Sequence, residues 1–339
     1  MNERKPVTMI VTGKNSATTI VECLESLAAQ KWPVAEIIVF DNASTDGSQA
    51  LIEDFVRRSP VPARLVDGGE RGFICSAYNR GVAMAKTDVV VLCHSDGAVP
   101  SPDELEKLVG PLFADEGAAC AYPRLLMPRE VWNRFPFWQK MLFSRAVEST
   151  AHSNCGMFDA VRRDVYLKAG GFDEARFTTT CGFGGEDSEA TLRFCRYGRK
   201  LLTEARAVHL HSLSPSFAFR DFLHVRAHLG RTYGKQIQYQ RGIKEFSNVL
   251  FFARPVLALA SLAACAFFAF GAAAGAWAVA ASLAAIFAFA FANFRKMFSS
   301  SLVLRDPRAL LVLPVGAFMV YYESFWFFHG LLTPPARHA

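Results

Sequence analysis

Forty consecutive residues without a charge, Pro255 to Phe294, constrain this chain more than any other feature. A helix needs about 20 apolar residues to cross the hydrocarbon core of a bilayer, so two crossings fit in that stretch. Its middle, Gly271-Ala272-Ala273-Ala274-Gly275, is a run of small residues suited to the turn between them. A third apolar segment runs from about residue 309 to 332, interrupted by Pro314 and carrying Glu323. Buried core helices are the alternative reading, but they are rarely this long and this uniformly apolar. The spans expected are about 255–273, 276–294 and 309–332, within a helical membrane domain 251–333. An acid inside a span is costly. Glu323 therefore meets a polar neighbour, an acceptor headgroup or another protomer, which leaves an oligomer open, or it sits at an interface beside Tyr321 and Tyr322.

Charge divides the chain in the same way. Residues 1–219 hold 25 Lys and Arg against 27 Asp and Glu; residues 220–254 hold seven against two. Residues 295–308 hold four against one, and 18 of the 30 Phe lie beyond residue 215. The net charge of +6 is thus a slightly acidic soluble domain joined to basic segments. It is not the basic surface that nucleic acid requires. Lys and Arg gather on the cytoplasmic side of membrane spans. That rule predicts a multi-pass protein of the inner (cytoplasmic) membrane with residues 1–250 in the cytoplasm. Met1–Pro6 is charged and the apolar run after it is short, so no secretory signal is expected. The eight Cys form no CxxC pair and read as reduced thiols.

Residues 217–250 join the two parts. Phe222, Val225, Leu229, Tyr233 and Ile237 recur at helical spacing, with Arg226, Arg231 and Lys235 off that stripe. The pattern predicts a basic amphipathic helix lying on anionic lipid, with packing of the stripe against the soluble domain as the alternative.

In the soluble part, residues 7–12, 36–40, 63–66 and 88–92 read as strands, and 18–29, 48–58 and 73–85 as helices. Strands alternating with helices predict an α/β domain with a mostly parallel sheet. Ligands bind beyond the carboxyl ends of such strands, where three polar clusters fall: Thr12–Asn15, Asp41–Asp46 and His94–Asp96. Each alone reads equally well as a turn. A G-x-G-x-x-G fingerprint and a Walker A loop are both missing, which argues against a nicotinamide dehydrogenase and a P-loop NTPase.

The order of motifs resembles the family 2 glycosyltransferases, which have a GT-A fold. The matching stretches are VTGKN at 11–15, EIIVFDNASTDGS at 36–48, RGFICSAYNRG at 71–81 and VVVLCHSDGAVPSPDELEKL at 89–108. GMFDAVRRDVYLKAGGFDE at 156–174, GGEDSEATLRFCRYGRKL at 184–201 and ARAVHLHSLS at 205–214 continue the series. The resemblance implies a GT-A nucleotide-sugar-binding domain over residues 1–216. It implies that Asp41 holds the nucleotide base, with Thr12 lining the pocket, and that Arg71 and Asn79 lie near the ribose and diphosphate. Asp96 matches the last acid of a D-x-D element that binds a divalent metal, Mg or Mn. His209 matches a residue that completes the metal shell in some relatives, and His211 alternates with it on a strand. Asp187, beside Glu186, matches the catalytic base.

Two departures stand out. His94 occupies the first position of the D-x-D element and is itself a possible metal ligand. Lys14-Asn15 stands where relatives often carry an aromatic residue before Asn. Glu186-Asp187 also reads as an ordinary acidic helix start, and His209 and His211 as solvated or capping residues. The expected activity is inverting transfer of a sugar from a UDP- or dTDP-type nucleotide-sugar to a hydroxyl of a lipid-linked acceptor, as in cell-envelope polysaccharide or glycolipid synthesis. A polyprenyl-phosphate sugar synthase and a non-catalytic nucleotide-sugar-binding assembly subunit are the alternatives.

Overall fold

The computed structural model describes residues 4–69, 74–152, 156–175, 185–210, 216–239, 249–271 and 273–333. Its contacts divide the chain into two units. Met1–Pro128, Glu148–Gly182 and Glu186–Leu213 form the first; Arg129–Val147, Phe183–Gly185 and Ser214–Ala339 form the second.

The first unit is built on an eight-stranded sheet. β1 (Val7–Gly13), β2 (Val34–Asp41), β3 (Ala63–Asp67) and β4 (Val89–His94) alternate with α1 (Ile20–Ala28), α2 (Ser48–Arg58) and α3 (Ile74–Met84). Then come β5 (Gly97–Ala98), α4 (Glu104–Ala114), β6 (Ala118–Leu126), β7 (Asp159–Arg162), α7 (Arg163–Lys168), α8 (Glu186–Phe194) and β8 (Arg199–His209). The strand order is β3-β2-β1-β4-β7-β6-β8-β5. The pairs β1–β2, β1–β4, β2–β3 and β6–β8 are parallel, while β7 runs antiparallel between β4 and β6. β1 and β4 are buried on both faces, which is why they read as unbroken Val- and Ile-rich runs. β8 instead alternates buried Thr203, Ala205 and Ala207 with exposed Glu204 and Arg206, the signature of a strand covered on one face. α1 buries Ile20, Cys23, Leu24 and Leu27, one helical stripe against the sheet.

The second unit is helical. α5 (Arg129–Arg134) and α6 (Phe137–Leu142) precede α9 (Phe219–Tyr239), α10 (Val249–Ala269), α11 (Ala273–Phe298), α12 (Ser301–Leu304) and α13 (Val312–Leu332). Among the described residues, three segments are long and apolar enough to cross a membrane: Phe252–Ala269, Ala274–Phe298 and Pro307–Leu332. α10 ends before Gly271, whose φ of 81° is the left-handed turn expected of the small-residue run. Phe270 and Trp277 beside that turn are 90% and 81% exposed, as side chains meant for lipid would be.

α9 departs from the sequence expectation. Arg226 and Lys235, placed off the apolar stripe, are only 9% and 3% exposed. The cause is close packing of α9 along α13 through glycines. A Cβ on Gly234 would fall 2.1 Å from the Phe327 carbonyl oxygen, and one on Gly330 2.2 Å from that of Arg231. At this approach Arg226 reaches Glu323, and the Lys235 ammonium donates to the carbonyl of Thr333 at the end of α13. Of the partners open to Glu323, the fold supplies one within the chain: Arg226 donates to it through Nε at 2.8 Å, and Arg254 lies 3.2 Å away.

Residues 129–147 lay inside the expected soluble domain but group with the apolar helices. Trp138 of α6 packs on Phe219 and Phe222 of α9, with ring centroids 4.6 and 6.0 Å apart. Ser144 donates to the backbone oxygen of Asn293 in α11 at 3.0 Å.

Candidate active site

The polar clusters lie at the carboxyl ends of β1, β2 and β4. Parallel register sets Gly13 beside Asp41 and Thr12 beside His94. Thr12 is buried: its hydroxyl accepts from Asn42 Nδ2 at 3.0 Å and its carbonyl from the Ser95 N–H at 3.0 Å. Asp41 is 6% exposed and accepts from the backbone N–H of Ser44 at 3.1 Å. The DNASTDG segment is therefore a turn held by its own carboxylates at the carboxyl end of β2. Asp46 accepts from the N–H groups of Ala17 and Ser48, tying the turn to the start of α1.

Asp96 and His209 come together across the short β5–β8 pair, with His209 Nε2 3.1 Å from Asp96 Oδ2. The Leu210 N–H donates to the Asp96 carbonyl at 2.8 Å. His94 stacks on Tyr78 with centroids 6.2 Å apart, and its Nε2 is buried with no hydrogen-bond partner. Burial, together with the charge of His209, holds its imidazole below the ordinary histidine value despite Asp96. Among the described residues, no group of three or more His, Cys, Asp or Glu is placed to hold a metal ion. Asp96 and His209 offer one hard oxygen and one imidazole nitrogen, a pair whose chemistry suits a divalent ion that takes its other ligands from diphosphate and water, whereas the buried His94 Nε2 faces Gly156.

Asp187 stands in the first turn of α8, where a carboxylate is favoured by the helix dipole. Burial pushes its carboxyl well above the usual range, and the charges of Glu186 and Asp159 push it further. Asp159 passed unnoticed in the sequence. It is the one acid on β7, fully buried, and desolvation raises it to about 8 despite the N–H of Gly156 donating to it at 2.9 Å. Its signal was an acid inside the apolar run Met-Phe-Asp-Ala-Val.

Asn79 makes four hydrogen bonds to the segment 166–174. Its amide donates to the Phe172 carbonyl at 2.9 Å and Glu174 at 2.7 Å, and its oxygen accepts from Tyr166 at 2.7 Å and the Phe172 N–H at 2.8 Å. Three of the four bonds fasten the 171–174 loop, and the fourth ties Asn79 to Tyr166 of α7. Arg71 and His211 lie outside the described residues.

Fold and site define a GT-A type domain: a mixed, mostly parallel sheet with acids and histidines at its strand ends. Residues 8–169 match the family model "Glycosyl transferase family 2", so this chain carries a family 2 glycosyltransferase domain, followed by apolar helices. The succinoglycan biosynthesis protein ExoO of Rhizobium meliloti is 32% identical over 107 residues, 30% of this chain and 28% of that protein. The glycosyltransferase GlyG of Streptococcus pneumoniae serotype 4 is 28% identical over 93 residues, 27% of this chain and 31% of that protein. The matched region spans less than a third of the length of either relative. The mannosyltransferase PcManGT of Pyrobaculum calidifontis, solved with GDP-Man and Mn2+, shares the fold. It aligns over 98% of this chain and 88% of its own, with a TM-score of 0.58 and 21% identity.

Proposed function

We propose that this chain is a membrane-anchored, inverting glycosyltransferase that moves a sugar from a nucleotide-sugar of UDP or dTDP type to a hydroxyl of a lipid-linked acceptor at the cytoplasmic face. The observation that carries the reading is the Asp96–His209 pair, with Asp41 at an adjoining strand end and the raised carboxyl of Asp187 in the same unit, whose residues 8–169 match the family model. Asp41 and Thr12, at adjoining strand ends, bind the base. Asp96, with His209, would hold a divalent ion, which would supply charge stabilisation to a leaving diphosphate. Asp187 takes the proton from the acceptor hydroxyl as that oxygen attacks the anomeric carbon, and Glu186 keeps its affinity for that proton high. A carboxyl raised above the ordinary range is a stronger base than an ordinary one once ionised. Attack and departure on opposite sides in one displacement invert the anomeric carbon.

The lipid-borne acceptor is supported by three apolar helices and by the basic residues flanking them. The test is turnover by the full chain in nanodiscs with a panel of nucleotide-sugars and polyprenyl-linked acceptors. The reading expects nucleoside diphosphate release that depends on both acceptor and divalent ion, and a product of inverted configuration. Donor binding without release on any acceptor would favour the assembly-subunit alternative.

A further inference from the structure

The second unit contains a cavity of about 250 Å3 lined by Ser144, Arg145, Phe289, Ala292, Asn293, Arg295 and Lys296. We propose that this cavity binds the phosphate of a membrane lipid headgroup. The proposal rests on the membrane part of the reading above, that these helices span a bilayer, and not on the chemistry at Asp187.

Three cations and, among the described residues, no acid line the cavity, and the cations come from two separate elements. Arg295 and Lys296 end the span Ala274–Phe298, the depth at which headgroup phosphates lie. Arg145 comes from the turn after α6, outside every span, and Ser144 pins that turn to α11 through the Asn293 carbonyl. Arginines that merely flank a helix end snorkel into water one by one; here a residue 150 positions earlier in the chain is fixed against the same helix end. The acid that could neutralise Arg145 is already taken. Of the charged groups facing it, Arg226 repels it, and Glu323 is held by Arg226 and Arg254. Asp306, the acid that follows Arg295 and Lys296 in the chain, is paired with Arg308.

The remaining features fit a phosphate ester better than a free anion or a nucleotide. Planar guanidiniums match phosphate oxygens in bidentate fashion. Pockets that enclose a whole small ligand run to roughly 300–1,000 Å3, so this smaller one takes the charged end of a molecule and leaves the rest outside. Phe289 and Ala292 continue the wall along the apolar length of α11, where a lipid chain would lie. Basic pockets at the cytoplasmic ends of spanning helices bind anionic headgroups by this logic.

The experiment uses the full chain in neutral detergent, without donor, and follows lipid binding by native mass spectrometry. Alkaline carbonate extraction comes first: a chain released from membranes overturns the membrane reading and this proposal together. The probes are dioleoyl phosphatidic acid, a polyprenyl phosphate, dioleoyl phosphatidylcholine and inorganic phosphate. One phosphate-monoester lipid is expected to bind per chain and to survive an excess of inorganic phosphate. Arg145→Gln with Arg295→Gln should weaken it by about tenfold or more, the loss of charge-assisted hydrogen bonds, while Arg145→Lys with Arg295→Lys keeps most of it. Both positions are exposed, so the fold should survive either pair. A photoreactive phosphatidic acid gives a readout on the unaltered chain and should label residues 143–147 or 289–296. Equal binding of phosphatidylcholine, displacement by inorganic phosphate at matched concentration, wild-type affinity in the Gln pair, or labelling elsewhere would each overturn the proposal.

Discussion

Removing the Glu323 carboxylate should destabilise the helical unit far more than a surface change would. Glu323 is 5% exposed, Arg254 6% and Arg226 9%, so three formal charges are packed away from water. The carboxylate receives Arg226 through both Nε and Nη2 and Arg254 through Nε. Breaking a buried pair by deleting one partner costs about 3–5 kcal/mol, because the other charge stays buried without compensation. Here two guanidiniums are stranded together, so Glu323→Ala should reach the upper end of that range. Glu323→Gln keeps one acceptor oxygen and should fall nearer the lower end. The assay is reversible unfolding of the full chain in mixed micelles, followed by helical circular dichroism. A triple variant, Glu323→Met with Arg226→Met and Arg254→Met, removes every charge of the cluster and should recover most of the loss, since well-packed apolar replacements of buried ion clusters are often neutral. A cost below about 1 kcal/mol for Glu323→Ala would refute the reasoning, because that is the scale of a solvated pair.

Other consequences follow from the site and the helix packing. Gly234→Leu should disrupt the α9–α13 contact, since even a Cβ there falls on backbone; a loss of at least about 1–3 kcal/mol in the same unfolding assay is expected. Asn79→Ala should cost about 2–3 kcal/mol by leaving backbone groups of the 171–174 loop unpaired, with donor affinity by titration calorimetry little changed. Asp159 binds its proton more tightly in the folded chain, so its contribution to stability is whole below pH 3.8 and is lost as pH rises toward about 8. Asp159→Asn should therefore flatten the stability profile between those limits and raise stability near pH 8, as read by unfolding across that range. The acidic limb of the kcat/KM profile should lie above the ordinary carboxylate range, where Asp187 ionises, and Glu186→Gln should move it to lower pH by removing a like charge.

What could be read in advance followed from local periodicity. The first four strands and three helices are visible because β1 and β4 are continuous apolar runs, β2 and β3 carry shorter apolar stretches, and the helices repeat every three or four residues. The three apolar helices were visible because their length and lack of charge set them apart from the rest of the chain. Long-range effects were not visible. β7 is four residues long and includes a buried acid, so no pattern marks it. The α9 stripe was drawn from its large apolar residues, whereas the contact with α13 is made where Gly230, Gly234 and Gly330 let backbones meet. That approach buries Arg226 and Lys235 against a carboxylate and a helix end that lie about 100 residues further along the chain. Asn79 matched a motif by position, but only the fold shows that three of its bonds go to a loop and one to Tyr166.

The central claim is that the acids at the strand ends perform glycosyl transfer with Asp187 as base. The most direct measurement compares the full chain with Asp187→Asn in nanodiscs, following nucleoside diphosphate release and, separately, donor affinity. The account predicts that turnover falls by about 100-fold or more while donor affinity holds, because a positioned base contributes at that scale and does not touch the nucleotide. Turnover that persists unchanged in Asp187→Asn, with donor bound as before, would contradict it.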